Sequence, residues 1–149
     1  MIIMDEIKFK SLVNRRTTKI NKRAEKFNQP PISKEIIEIL FRTSIDTGLK
    51  CSYCGEKMEL FASKGDFRMA ISIDHIIPFT SGGKNTEDNM RVCCTRCNLV
   101  KSIMPDKDFI FILNAFEKEH GKDKMISWLD QLFNGMLANK IDRLKNEEY

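Results

Sequence analysis

Two C-x-x-C pairs constrain this chain more than any other feature: Cys51 with Cys54, and Cys94 with Cys97. Two tight turns of this kind supply four thiolates, the soft ligands that a tetrahedral ion needs at about 2.3 Å. Gly55, directly after Cys54, suits such a turn. The stretch between the pairs, Glu56 to Cys93, is longer than a simple zinc ribbon requires and must carry structure of its own. Structural zinc is the first reading of the four thiols. A rubredoxin-like iron site uses the same ligands, and spacing does not separate the two metals. Disulfides are the third reading, one that the cytosol disfavours. Cys93, the odd thiol, reads as a small apolar residue at the end of a strand, because Cys94 gives the better two-residue spacing.

Composition points to a folded domain with helical extensions. The chain has 149 residues, 42% hydrophobic and 31% charged, with seven Gly and four Pro; this excludes disorder, collagen and mucin-like stalks. No apolar run approaches the roughly 20 residues of a membrane span. Asp5 and Glu6 argue against a secretory signal or transit peptide, so a soluble, cytoplasmic protein is expected. The charge is uneven. Residues 1–28 hold eight Lys or Arg against three acids, giving +5, while the remaining residues hold seventeen against eighteen, giving −1. Such a basic segment is the footprint of contact with a polyanion, and a solvated helix face is the plainer alternative. Arg15, Arg16, Lys19, Lys22 and Arg23 are therefore the candidate nucleic-acid-binding residues.

Periodicity predicts a helix over residues 5–28, with Phe9, Val13, Ile20, Ala24 and Phe27 near one stripe, stopped by Pro30 and Pro31. Ser33 is placed to cap a second helix bearing Ile36, Ile37, Leu40, Phe41 and Ile45, with Gly48 as its stop. Residues 58–62 and 67–75 read as strands joined by a turn at 63–66. Residues 78–85 read as a loop and 90–93 as a short returning strand. A helix is expected over about 95–102, then two amphipathic helices over 106–120 and about 123–146. Their Met and aromatic stripes are core faces. The apolar surface of the last helix suits either internal packing or a homodimer or partner protein.

Chemistry concentrates between the cysteine pairs. Asp74 stands beside His75, one of two histidines in the chain; Asn89 follows, and Asn98 opens the short helix. Phosphodiester hydrolysis needs a base near neutral pH, which an imidazole provides. It also needs charge stabilisation at the phosphate, which a divalent ion provides as a Lewis acid. Mg²⁺ or Mn²⁺ held by Asp74 and Asn98 alone would keep most of its positions for water and phosphate. Asn98 at a helix start brings backbone N–H groups that favour an anion. Lys101, three residues on, shares its helix face and is a candidate phosphate contact. The Asn89 amide can bond backbone on both sides of the loop and fix the His75 strand relative to the Asn98 helix. Gly82 and Gly83 read as a turn that needs positive φ. Asp74 and His75 must both reach one cleft although neighbours in a strand alternate, so a twist or bulge is expected there.

The stretch Cys51 to Ser102 resembles the HNH (ββα-metal, His-Me finger) endonucleases. The likeness rests on Asp74-His75-Ile76-Ile77-Pro78, Gly82-Gly83, Asn89 and Cys94-x2-Cys97-Asn98-x2-Lys101. It implies His75 as general base, Asp74 and Asn98 as ligands of the catalytic metal, Asn89 as a structural member of the catalytic site, and a four-cysteine structural zinc. Asn98 stands where the family name has its third histidine; its amide oxygen still offers a ligand, one weaker than imidazole for Ni²⁺ or Zn²⁺. The expected fold is α+β: a basic helical segment over 1–48 packed on the core, a zinc-stapled ββα-metal core over 49–104, and a helical extension over 105–149. The expected activity is metal-dependent hydrolysis of DNA. The alternatives are a non-catalytic zinc module that binds nucleic acid through a degenerate site, and an iron-containing redox protein.

Overall fold

A computed structural model describes residues 4–147. Asp5 caps the first helix, α1 (Glu6–Lys26), its carboxylate accepting from the Ile7 and Lys8 amides at 3.1 Å each. This satisfies two amides that a helix start otherwise leaves unpaired. Phe9, Val13 and Ala24 of the expected stripe are buried, Leu12 joins them, and Ile20 is half-buried. Phe27 is not among them: the helix has ended at Lys26, and the Phe27 ring lies half-exposed against Phe79. Helix α2 (Lys34–Asp46) follows Ser33 and buries Ile37 and Phe41. The turn between the two helices is held by Asn21, whose amide exchanges two hydrogen bonds with the backbone of Ile32 (2.8 and 2.9 Å).

The fold is α+β, with five helices and one two-stranded antiparallel sheet among the described residues. Strand β1 (Ile71–His75) pairs with β2 (Met90–Cys94) in continuous register from Ile71 opposite Cys94 to His75 opposite Met90. Helix α3 (Thr95–Lys101) starts directly after β2 and packs on both strands. Helices α4 (Asp106–His120) and α5 (Lys122–Glu147) complete the chain, α5 packing on α3 and α4. One hydrophobic cluster runs from Phe9 and Leu12 through Ile71, Cys93 and Cys97 to Phe109 and Leu129. It therefore joins the N-terminal helices, the central segment and the C-terminal helices. No described helix is long and apolar enough to cross a membrane.

The first expected strand does not form, and the second is shorter than expected. Residues 58–62 and 67–70 are joined by a single isolated bridge, Glu59 with Ala70, around the predicted turn, where the Asp66 amide donates to the Ser63 carbonyl (3.1 Å). Residues 61–67 are all exposed, so their apolar positions have no face to bury and nothing fixes a ladder.

Candidate active site and metal centre

The first cysteine turn follows α2 and is tied back on itself by Cys51 N to Glu56 O (2.9 Å) and Gly55 N to Cys51 O (3.0 Å). Cys94 ends β2, and Cys97 lies in the first turn of α3, so the sheet-to-helix junction presents the second pair. All four sulfurs are buried and lie within 4.8 Å of one another. A zinc tetrahedron with bonds of about 2.3 Å sets its sulfurs about 3.8 Å apart, so a small contraction closes this cluster on an ion. Donors already point at the sulfurs. Cys51 Sγ accepts from the amides of Tyr53 (3.4 Å) and Cys94 (3.3 Å), and Cys94 Sγ accepts from the Cys97 amide (3.3 Å). The Arg96 guanidinium reaches Cys54 Sγ at 3.4 Å and pairs with Asp130 of α5 at 2.8 Å. This donor set fits zinc, and none of the five cysteines is in a disulfide. Cys93 is fully buried in β2, and burial pushes its thiol well above the ordinary range, as an inert apolar residue requires.

A second feature, a cleft of about 440 Å³, runs along β1 and is lined by Ser72, Ile73, Asp74 and His75 in succession. No bulge is needed to bring both Asp74 and His75 to it, because the register with β2 is unbroken. β1 has a strand on one side only, and a cleft at its open edge meets side chains from both faces. The outward carbonyls of that edge are covered by α3: Asn98 Nδ2 donates to Ile73 O (3.3 Å) and to Ser72 Oγ (2.9 Å), and Lys101 Nζ donates to His75 O (3.2 Å). Asn98 thus spends its nitrogen on β1 and keeps its oxygen, on a side chain that lines the cleft.

Asp74 is buried. Its Oδ2 accepts from the Tyr53 hydroxyl (2.6 Å) and pairs with Lys101 Nζ (2.9 Å), leaving Oδ1 for other partners. Burial, then the hydrogen bond to Asp74, hold the Tyr53 hydroxyl far above its usual range, so it stays a donor. Lys101 is 1% exposed. It is therefore no phosphate contact, contrary to the expectation from helix spacing, because it is consumed by a buried carboxylate and a strand-end carbonyl.

The His75 ring is half-buried, 4.2 Å from the Phe79 ring, with Nε2 3.1 Å from Asn85 Oδ1. Asn85 donates its own amide to Pro30 O (2.8 Å) and Asn21 Oδ1 (3.3 Å), so its oxygen faces the ring. That network assigns the proton to Nε2 and leaves Nδ1 as the basic atom. Burial lowers the His75 pKa below its ordinary value, against the opposing pull of Asn85 and Asp74. The imidazole is accordingly neutral at pH 7.

Asn89 braces the loop beneath His75. Its Oδ1 accepts from Ile77 N (2.9 Å), and its Nδ2 donates to Ile77 O (3.0 Å) and Lys84 O (2.8 Å). These bonds tie the two arms of the 76–89 loop together, and none of them reaches α3. Gly82 has positive φ as expected. Gly83 is there for space instead: a Cβ at this position would come within 1.7 Å of the Ile77 carbonyl oxygen.

The cleft is electropositive. Arg16, Lys19 and Arg23 of α1 and Arg143 of α5 line it, and Asp74 is the one carboxylate among its lining residues. Lys19 is held below the ordinary lysine range first by burial, then by the charges of Arg16 and Lys140. Arg15 faces an adjoining hollow, and Lys22 is exposed and lines neither.

A comparison with protein families matches residues 51–102 to the HNH endonuclease model. Those residues form an HNH domain. No curated protein matches the chain. The matched residues span both cysteine pairs, β1, β2 and α3, so the HNH domain contains the clasp and the edge of the cleft, while α1 and α5 supply the facing walls from outside it. Sequence reasoning passed over Tyr53, Asn85 and Arg143. Tyr53 is a spacer within C-x-x-C by pattern, and Asn85 is one polar residue in a polar loop. Only the buried setting of Asn85 and its bonds to α1 and the following turn set it apart.

Proposed function

We propose that this chain is a metal-dependent endonuclease that hydrolyses DNA phosphodiester bonds in the cleft along β1. The reading is carried by one convergence: the basic Nδ1 of His75, a free oxygen on each of Asp74 and Asn98, and the cations of α1 share one open space. His75, fixed by Asn85, removes a proton from water at Nδ1, and the neutral ring that burial maintains is the form that can do so. Asp74 and Asn98 would hold Mg²⁺ or Mn²⁺, two oxygens being the sparse set that such ions accept, and the ion would stabilise charge at the leaving oxygen. Tyr53 and Lys101 fix the Asp74 carboxylate, and Arg16, Lys19 and Arg23 hold the flanking backbone. The four-cysteine zinc has no open position and serves the scaffold.

One observation favours a second reading. Lys101 already neutralises Asp74 at 2.9 Å, as it would in a degenerate site that binds nucleic acid without cutting it. Plasmid cleavage separates the two. The nuclease cuts with Mg²⁺ or Mn²⁺ and not without, and His75→Ala slows the reaction by about 10²–10⁴-fold, the usual share of a general base, with its melting profile kept. Intact plasmid with wild type and variant alike, together with DNA binding that survives removal of added divalent ions, establishes the binding module instead.

A further inference from the structure

A second hollow of about 430 Å³ adjoins the cleft, and Arg16, Lys19 and Thr95 line both. Its far wall is aromatic. Phe61 and Phe67 are brought together by the turn at 63–66, and each lies about 40% exposed (39% and 41%). Phe67 is braced from behind by Phe133, the ring centroids 5.7 Å apart and the planes at 72°. Leu60 and Ala62 add apolar floor, and Arg15 stands on the rim with Arg16 and Lys19. Phe61 and Phe67 share this wall, so the hollow offers partly exposed ring area directly beside its cations. Cations that follow a sugar-phosphate chain, with aromatic rings beside them, are the recurring arrangement by which proteins hold unpaired bases.

We infer that this hollow is a base-binding pocket, and that the substrate strand carries an unpaired base next to the phosphate held at His75. The inference rests on the nuclease reading and sharpens its substrate class. Arg16 and Lys19 hold the backbone as it passes from the cleft to the hollow, and the base stacks against Phe61 and Phe67. A base inside a duplex has both faces covered by its neighbours and cannot enter. The favoured substrates are accordingly single strands, flaps and junctions with displaced bases.

The test uses the full chain carrying His75→Ala, without added divalent ions, so that binding is read apart from cleavage. Oligonucleotides bearing 2-aminopurine are titrated as single strands and as duplexes of the same sequence at one salt concentration. The single strand is expected to bind at least about tenfold more tightly, with its fluorescence quenched. Adding Phe61→Leu and Phe67→Leu should weaken single-strand binding by about tenfold, in the range for loss of one stacked base, and leave duplex binding unchanged, with a cooperative melting transition kept. Equal affinity for single strand and duplex, or leucine variants that bind like the parent, overturns the pocket and leaves the nuclease reading standing. Failure of every nucleic acid to bind overturns the nuclease reading and the pocket with it.

Discussion

At the thiol clasp the four sulfurs come from one short turn and one strand-to-helix junction, all are buried, and backbone amides and one guanidinium complete their surroundings. At the cleft the contributors are spread over α1, β1, the loop after it, α3 and α5, and the centre stays open. The clasp is the arrangement of a metal that must not exchange ligands; the cleft suits one that must. The two are joined through Tyr53, which stands between Cys51 and Cys54 and donates to Asp74. Folding free energy collected at the closed site thus positions a carboxylate at the open one.

The largest effect should come from opening the clasp. Cys51→Ser is expected to release zinc and abolish cooperative melting, since structural zinc contributes an apparent ~10–16 kcal/mol in small zinc-dependent folds. Metal analysis and calorimetry check this, and a native transition without zinc would separate the clasp from the fold. Next comes Lys101→Met, which strands Asp74 as a buried charge and should cost about 3–5 kcal/mol in urea denaturation. The double variant with Asp74→Asn should recover most of that loss; no recovery would mean that Lys101 acts by packing alone. Tyr53→Phe should leave zinc content unchanged while weakening Mn²⁺ binding at the cleft by about 10–100-fold, the usual effect of removing a partner that orients a ligand. Equal Mn²⁺ affinity by electron paramagnetic resonance would break the link between the two sites.

The smallest effect is titration of His75. Its folded-state pKa lies below the ordinary 6.5, so as pH falls below about 6.5 the unfolded chain takes up the proton first and stability declines. The decline stops once pH passes beneath the folded-state value. Urea midpoints between pH 7.5 and 5 should fall more for wild type than for His75→Ala. A steeper fall in the variant would reverse the sign. Cleavage should likewise persist to lower pH than an unperturbed imidazole would allow.

What could be read in advance follows the range of the contacts. The clasp was legible because its spacing is local, and the starts of α1 and α3 near residues 5 and 95 were legible for the same reason. Ser33, by contrast, precedes α2 without a side-chain capping bond, and Asn98 lies inside α3 rather than opening it. The strand expected at 58–62 failed because alternation predicts a strand only where a partner ladder exists, and none runs along it. Lys101 was misread because the three-residue spacing from Asn98 fixes a shared helix face without saying what that face meets, here Asp74 and the β1 edge. Asn85 depends on partners in α1 and the following turn, far away in sequence. No pattern within its own loop could supply them.

Helix α5 carries a mechanical implication. Its first half is fastened to the clasp, Asp130 to Arg96 and Lys122 to the Cys54 carbonyl, and its second half brings Met136 and Arg143 to the cleft. It is a beam anchored at the thiol clasp with its far end over the cleft. Opening the clasp would therefore do more than loosen the core: it would let go of that beam, and the width of the cleft would change with the state of four thiols some distance away.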